Sequence, residues 1–189
     1  MNGGYVNNAY LMNERPKSNT TVDIIPRVLQ GIEMAKRDGF EWCFIVEDDD
    51  SYPENYFSRY LPYFDHYDFI GDEHSYYYNI NTLRWTLFTH KHRSSLFTTA
   101  FRISALNNFE WPPENSPFLD IKIWEYARHK RRVFVDSGAV GIKHGTGLCG
   151  GNGHKFKLEN ADPEMKFLKG KLSDYHIEFY QQFRKKCAS

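Results

Sequence analysis

Four consecutive carboxylates, at positions 47–50, follow directly after the apolar stretch 42–46. Adjacent negative charges repel one another, so a folded chain gathers them at low cost only where a cation balances them. Asp48 and Asp50 are two residues apart, a spacing that puts both side chains on one side of an extended chain. Carboxylate oxygens suit Mg²⁺ or Mn²⁺, ions that commonly also bind substrate phosphates. The pattern predicts a metal site with Asp48 and Asp50 as ligands, and the alternative is a solvated acidic turn.

A second group of residues lies in the glycine-rich segment 143–154. Glycines allow backbone amides to approach an anion closely, which favours a loop that binds phosphate. His144, which follows a predicted strand, is a candidate third metal ligand. The alternative is an exposed surface loop that carries two histidines. The residues expected to contact a bound diphosphate are Lys143, Gly145, Gly147, Gly150, Gly151 and His154.

A third candidate is Asp120, which follows the run Pro117-Phe118-Leu119 at the start of a predicted helix. A carboxylate in this position can cap the helix. It can also act as a general base that takes the proton from an acceptor hydroxyl. The spacing alone does not choose between these two roles.

The elements that must position these residues alternate between helical and strand-like patterns. A chain of 189 residues fits one domain, 1–189, with an arm or loop at 1–19 and a helical tail within 163–189. Helix followed by strand early in the chain favours the α/β class, with a mostly parallel sheet and helices on both faces. We expect a first helix that starts at a capping box of Thr20 and Asp23 and has Lys36 and Arg37 in its last turn. Further helices are expected after a capping box at 51–54, to about 63, and over 104–109, 118–129 and 163–186. Strands are expected over 42–46 and 67–71, within 132–142 and, two or three of them, within 76–103.

Charge and cysteine content argue against several classes of protein. Basic and acidic residues number 24 each, which argues against a nucleic-acid coat protein. The first 94 residues hold 9 basic and 14 acidic side chains and the remainder 15 and 10, as expected where metal ligands face a phosphate-binding wall. Three cysteines form no disulfide framework, and no signal peptide or apolar span is evident, so we expect a cytoplasmic protein with no membrane span.

Three motifs in this order resemble the GT-A fold of nucleotide-sugar-dependent glycosyltransferases. FIVEDDDSYPENYF resembles their DxD motif, and SPFLDIKIWEYA resembles the acceptor-side segment that carries a catalytic carboxylate in inverting members. VGIKHGTGLCGGNGH is similar to their C-terminal strand and loop. The resemblance covers about residues 24–154. Only 46 residues precede Glu47, so the fold is expected to be short at its N-terminus relative to that family.

The resemblance implies a hexosyltransferase-like enzyme that moves a sugar from a nucleotide donor to an acceptor hydroxyl. Asp48 and Asp50 would be the DxD acids and His144 a further ligand of Mn²⁺ or Mg²⁺. Asp120 would be the base in an inverting mechanism, and Lys143 or the glycine loop would hold the diphosphate. The expected donor is a UDP-sugar, and the acceptor stays open among a glycan, a protein and modified DNA.

Two other classes of protein fit the same residues. A nucleotidyltransferase, or another metal-dependent phosphoryl-transfer enzyme, also uses paired carboxylates and a glycine loop. A non-catalytic carbohydrate- or metal-binding module would use the acids and the many aromatic residues without turnover. The released product separates the first of these from a glycosyltransferase, since one frees pyrophosphate and the other a nucleoside diphosphate.

Overall fold

The computed structural model describes residues 24–145 and 156–187, which form seven strands and four α-helices. Short 3₁₀ turns connect several of these elements. In chain order the elements are α1 (Ile24–Arg37), β1 (Trp42–Phe44), β2 (Phe69–Gly71), β3 (His74–Asn79), β4 (Arg84–Thr89), β5 (Ala100–Arg102), α2 (Leu119–Ala127), β6 (Arg132–Phe134), β7 (Val140–Lys143), α3 (Lys166–Lys169) and α4 (Asp174–Cys187).

The strands form two small sheets, and the predicted α/β class is confirmed. The first sheet has the order β1-β5-β2-β6, in which β5 runs antiparallel to both neighbours and β2 runs parallel to β6. The second has the order β4-β3-β7, in which the β3–β4 hairpin is antiparallel and β3 runs parallel to β7. Parallel and antiparallel pairs are therefore mixed in both sheets, where the sequence had predicted a mostly parallel one.

Helix α1 packs on the first sheet through the apolar positions that predicted it. Ile25, Ile32 and Ala35 are buried and belong to one core with Phe69 of β2 and Trp124 of α2. The indole of Trp124 donates a 3.0 Å hydrogen bond to the Thr99 hydroxyl, so its polar atom is satisfied inside this core. Helices α1 and α2 thus pack against the first sheet, whose strand β1 leads into the acidic run 47–50.

The predicted helix over 54–63 is instead two 3₁₀ turns, Phe57–Arg59 and Leu61–Tyr63. Pro62 lacks an amide hydrogen, so it cannot make the bond that a regular α-helix needs at that position. The predicted helix at 104–109 is likewise a 3₁₀ turn, Ile103–Leu106. Within 54–63, the side chains of Tyr56 and Tyr60 are buried, and their hydroxyl oxygens lie 3.3 Å apart.

The chain after β1 attaches to the second sheet. Ser51 and Val140 of β7 exchange two backbone hydrogen bonds of 2.9 Å, which adds residue 51 to the outer edge of β7. The acidic run 47–50 lies between β1 and this attachment. Its position is therefore fixed by both sheets at once.

The predicted helical tail is two helices, α3 and α4, separated by residues 170–173. Ile177 and Tyr180 of α4 pack with Met165 and Leu168 against the second sheet. Within the described parts of the chain, we find no helix with the length and apolarity needed to cross a membrane.

Candidate metal centre

Three carboxylates of the acidic run converge. Glu47, Asp49 and Asp50 each place one oxygen within 4.8 Å of the others. Residues 48–50 form a turn, in which the amide of Asp50 donates to the carbonyl of Glu47 over 3.3 Å. Because the run turns rather than extends, Asp49 joins the group, whereas the predicted ligand Asp48 is exposed and lies outside it. These three residues are called the carboxylate trio below.

Asp50 is the buried member of the trio, with 9% of its surface exposed. Its Oδ1 accepts a 2.7 Å hydrogen bond from the amide of Ile142 in β7, while its buried Oδ2 has no hydrogen-bond partner among the described residues. Burial raises the pKa of Asp50 to about 8, although the positive charge of Lys143 opposes the rise. A buried oxygen without a partner is costly, and a cation bound to the trio would satisfy it, so these residues fit a divalent metal.

Glu47 shares this environment and is partly buried. Burial raises the pKa of Glu47 to about 7, and the charges of Asp49, Asp120 and Asp48 add to the rise while Lys143 opposes it. Its backbone amide donates a 2.9 Å hydrogen bond to the hydroxyl of Tyr52, which fixes the start of the turn. Two carboxyls with raised pKa values therefore lie in one group, and a bound cation would favour their ionised forms.

Lys143 supplies a positive charge beside the trio. It is only 6% exposed, and its Nζ lies 5.2 Å from the centre of the Tyr77 ring, in a cation–π contact. The ring has room because Gly141 stands opposite Tyr77 in the pairing of β3 with β7; a Cβ at Gly141 would lie 2.6 Å from a ring carbon. Within residues 24–145 and 156–187, Lys143 makes neither an ion pair nor a side-chain hydrogen bond.

His144 reaches the acidic turn through Asp49. Its Nε2 lies 3.1 Å from Oδ2 of Asp49, and its ring packs edge-on against Phe183 of α4 at 6.3 Å. The next residue, Gly145, has a φ of +84°, a backbone conformation that favours glycine. The structure therefore brings His144 to the trio as an outer partner of one ligand candidate.

Asp120 lies in the first turn of α2, and the N-cap position that had been considered for it is occupied by Phe118. Nη1 of Arg93 lies 2.5 Å from Oδ2 of Asp120. Burial raises the pKa of Asp120, and the charge of Arg93 opposes that rise. The negative charge of Asp120 acts on both Glu47 and Tyr77, so Asp120 belongs to the same electrostatic neighbourhood as the trio.

The remaining predicted contacts of a diphosphate, at Gly147, Gly150, Gly151 and His154, lie outside the described residues. The sequence singled out neither Glu47 nor Asp49 as a ligand, although both belong to the acidic run, and it gave no signal for Arg93. Tyr77 is one of the aromatic residues considered for stacking on a sugar or base, but its contact with Lys143 was not predicted. Comparison of the chain with protein-family models, with curated proteins and with solved structures gives no match.

Proposed function

We propose that this chain is a metal-dependent glycosyltransferase, which moves a sugar from a nucleotide-diphosphate sugar to an acceptor hydroxyl. The observation that carries the proposal is the carboxylate of Asp50, which is buried beside two other carboxylates and has one oxygen without a partner in the described parts of the chain. Lys143, a nearly buried cation, stands beside it. Carboxylates and a cation around one space suit a ligand that is itself a metal ion with an anion, as a metal–diphosphate complex is.

Glu47, Asp49 and Asp50 would hold Mn²⁺ or Mg²⁺, since each already offers an oxygen to a common point. When bound, such an ion stabilises the negative charge that develops on the departing diphosphate. His144 would orient Asp49, because a ring nitrogen lies within hydrogen-bond distance of that carboxylate. Asp48, which the DxD resemblance also suggests, lies on the exposed side of the turn.

Lys143 would bind the diphosphate directly. Its ammonium makes no ion pair with any described carboxylate, so its charge is available to a phosphate oxygen. The Tyr77 ring contacts the ammonium before the ligand arrives, and Gly141 leaves the space that this ring occupies. The backbone of the glycine segment that begins at Gly145 would add amide donors on the same side.

Asp120 would be the general base of an inverting reaction. Its negative charge acts on Glu47 of the trio, it lies in the first turn of α2, and 18% of its side chain is exposed. Such a carboxylate would take the proton from the acceptor hydroxyl. We further propose a GT-A arrangement for the two mixed sheets, because β1 leads into the acidic turn and β7 leads to Lys143 and His144.

The proposal extends to the donor and the acceptor of the sugar. A UDP-sugar is the proposed donor, and a glycan, a protein or modified DNA is the proposed acceptor. The basic excess of residues 95–189, 15 against 10 acidic side chains, is compatible with any of these polyanionic or polar acceptors. The donor is the simpler partner to identify, because it can be tested without the acceptor.

The test is a product assay in Mn²⁺. The protein is incubated with UDP-, GDP-, CDP- and ADP-sugars, and release of the nucleoside diphosphate is measured; parallel reactions contain nucleoside triphosphates and are assayed for pyrophosphate. Asp50→Asn should abolish release, whereas Asp65→Asn, at an exposed acid outside the trio, should not. Pyrophosphate release would instead establish a nucleotidyltransferase, and no turnover combined with sugar binding would establish a binding module.

A further inference from the structure

Residues 90–95 form the connection that follows β4, and it is anchored at both ends. The buried His90 has its Nε2 3.0 Å from the Ser95 hydroxyl, and its amide donates to the carbonyl of Glu73 over 2.8 Å. The Ser94 hydroxyl accepts a 2.9 Å hydrogen bond from the amide of Asp72. Ser94 and Ser95 are both buried, so this end of the connection belongs to the core.

The middle of the connection has an uncommon backbone conformation. His92 has a φ of +69°, which side chains other than glycine rarely adopt. Its carbonyl accepts a 2.7 Å hydrogen bond from Nη1 of Arg132 in β6. A conformation of this kind persists where the surrounding contacts over-determine it, and residues that adopt it cluster at functional sites.

The next residue, Arg93, forms an ion pair with a carboxylate in the first turn of α2. Its guanidinium meets Asp120, 27 residues further along, with Nη1 2.5 Å from Oδ2. The pair is partly buried, with 35% of the Arg93 side chain and 18% of the Asp120 side chain exposed. Surface ion pairs contribute little, but a partly buried pair on a rigid connection can fix a carboxylate in one orientation.

We propose that Arg93 is a positioning residue that holds the Asp120 carboxylate ionised and oriented to act as the general base. The inference rests on the proposed glycosyltransferase function. Within the described residues, the charged or titratable groups that act on Asp120 or feel its charge are Arg93, Glu47 and Tyr77. Of these only Arg93 carries a positive charge, and the backbone amides of Asp120 and Ile121 add hydrogen bonds that also favour the ionised form of Asp120.

In the proposed reaction, one bond forms and one bond breaks at the anomeric carbon of the donor. The acceptor oxygen forms a bond to the anomeric carbon of the donor, and its proton passes to the carboxylate of Asp120. The bond between that carbon and the diphosphate oxygen breaks, and the nucleoside diphosphate leaves with the electron pair. Arg93 engages Oδ2 of the carboxylate that takes this proton.

The test compares Arg93→Met with Arg131→Met, which breaks an exposed pair between Arg131 and Asp68 (2.8 Å). For the transferase, kcat and donor KM are measured against pH. We expect Arg93→Met to lower kcat at neutral pH at least tenfold and to move the acid limb of kcat to higher pH, with donor KM unchanged. Arg93→Lys should recover part of the shift, and Arg131→Met should behave as the wild type.

A second readout does not depend on turnover. The Asp120 carboxyl is titrated by ¹³C NMR, with its signal identified by its loss in Asp120→Asn, and its pKa should be higher in Arg93→Met than in the wild type. An unchanged pKa would overturn the inference, as would a raised donor KM with an unmoved acid limb. If the pKa moves but no sugar nucleotide is turned over, the glycosyltransferase proposal fails while the hold of Arg93 on Asp120 stands.

Discussion

Asp50 and Ile142 are 92 residues apart in the chain, and the Oδ1 of Asp50 accepts a 2.7 Å hydrogen bond from the Ile142 amide. Alternate amides of a strand point to the same edge, so the amides of Val140 and Ile142 face the acidic turn together. Ser51 pairs with the first and Asp50 with the second. The trio is thus attached to the edge of β7, next to Lys143, by one side chain and one backbone bridge.

The first prediction concerns metal binding by the trio. Asp50→Asn keeps an oxygen that can accept from Ile142 but removes the charge, so the fold should persist while Mn²⁺ affinity falls at least tenfold. Isothermal titration with Mn²⁺ measures this. Asp48→Asn is the matched comparison at an exposed acid outside the trio, and it should bind Mn²⁺ within about threefold of the wild type, well under the tenfold that 1.4 kcal/mol represents. Loss of binding in Asp48→Asn alone would restore the DxD assignment of the ligands.

The second prediction separates the diphosphate from the metal. Lys143→Met preserves length and apolar volume but removes the charge that faces Asp50 and Glu47. We expect Mn²⁺ to bind at least as tightly as in the wild type, since a competing cation is gone, and nucleoside diphosphate affinity in Mn²⁺ to fall at least tenfold. Lys122→Met, at an exposed lysine paired with Glu125, is the control. Unchanged diphosphate affinity in Lys143→Met would remove Lys143 from the site.

The third prediction concerns the packing under Lys143. A Cβ at Gly141 would lie 2.6 Å from the Tyr77 ring, so Gly141→Ala should lower the free energy of unfolding by about 1–3 kcal/mol, the usual cost of overpacking. Chemical denaturation measures the effect. In a Tyr77→Ala background the same substitution should cost much less, because the clashing ring is absent.

Gly31→Ala in helix α1 is the control for this substitution, because nothing lies within 4 Å of the added methyl group. It should raise the free energy of unfolding by about 0.5–1 kcal/mol, since alanine favours helix over glycine. An equal cost of Gly141→Ala with and without the Tyr77 ring would contradict the packing described here.

The fourth prediction concerns Asp72, a buried carboxylate away from the trio. It accepts hydrogen bonds from the amide and the hydroxyl of Ser137, and burial raises its pKa well above the ordinary range of an aspartate, to about 7. The folded state therefore holds this proton over a pH range in which the unfolded state has lost it. Stability due to this group is present at acidic pH and falls as pH rises towards 7, by at most about 1.4 kcal/mol per pH unit.

Asp72→Asn removes that titration. The difference in unfolding free energy between the variant and the wild type should therefore increase from pH 5 to pH 8, in favour of the variant. Urea denaturation at several pH values measures it. A difference that stays constant across this range would mean that Asp72 is ionised in the folded protein throughout.

Elements with a clear period were predictable from the sequence. Ile25 and Ile32 recur at helical spacing, and the structure has α1 over Ile24–Arg37, while the predicted start at Thr20 and Asp23 lies outside the described residues. Strand patterns likewise located β1, β2 and β4, whereas β3 was predicted only as part of a region of two or three strands. The pairing of these strands was not predictable, because it depends on contacts between segments such as Ser51 and Val140 that no local pattern encodes.

The candidate site was predictable in part for the same reason. The acidic run and Lys143-His144 stand out in the sequence, and the structure brings them together. The choice of Asp48 over Asp49 rested on an extended backbone, whereas the run forms a turn. The pairing of Arg93 with Asp120 joins two segments that are 27 residues apart, so only the folded chain reveals it.

The most direct test of the central claim is a thermal-shift titration of the wild-type protein with UDP, GDP, CDP and ADP, each with and without Mn²⁺. A ligand that binds only the folded state raises the melting temperature, by an amount that grows with its concentration over Kd. We expect the melting temperature to rise with one diphosphate, UDP, and we expect this rise to require Mn²⁺ and to disappear in Asp50→Asn. A melting temperature that no diphosphate changes, with or without Mn²⁺, would contradict it.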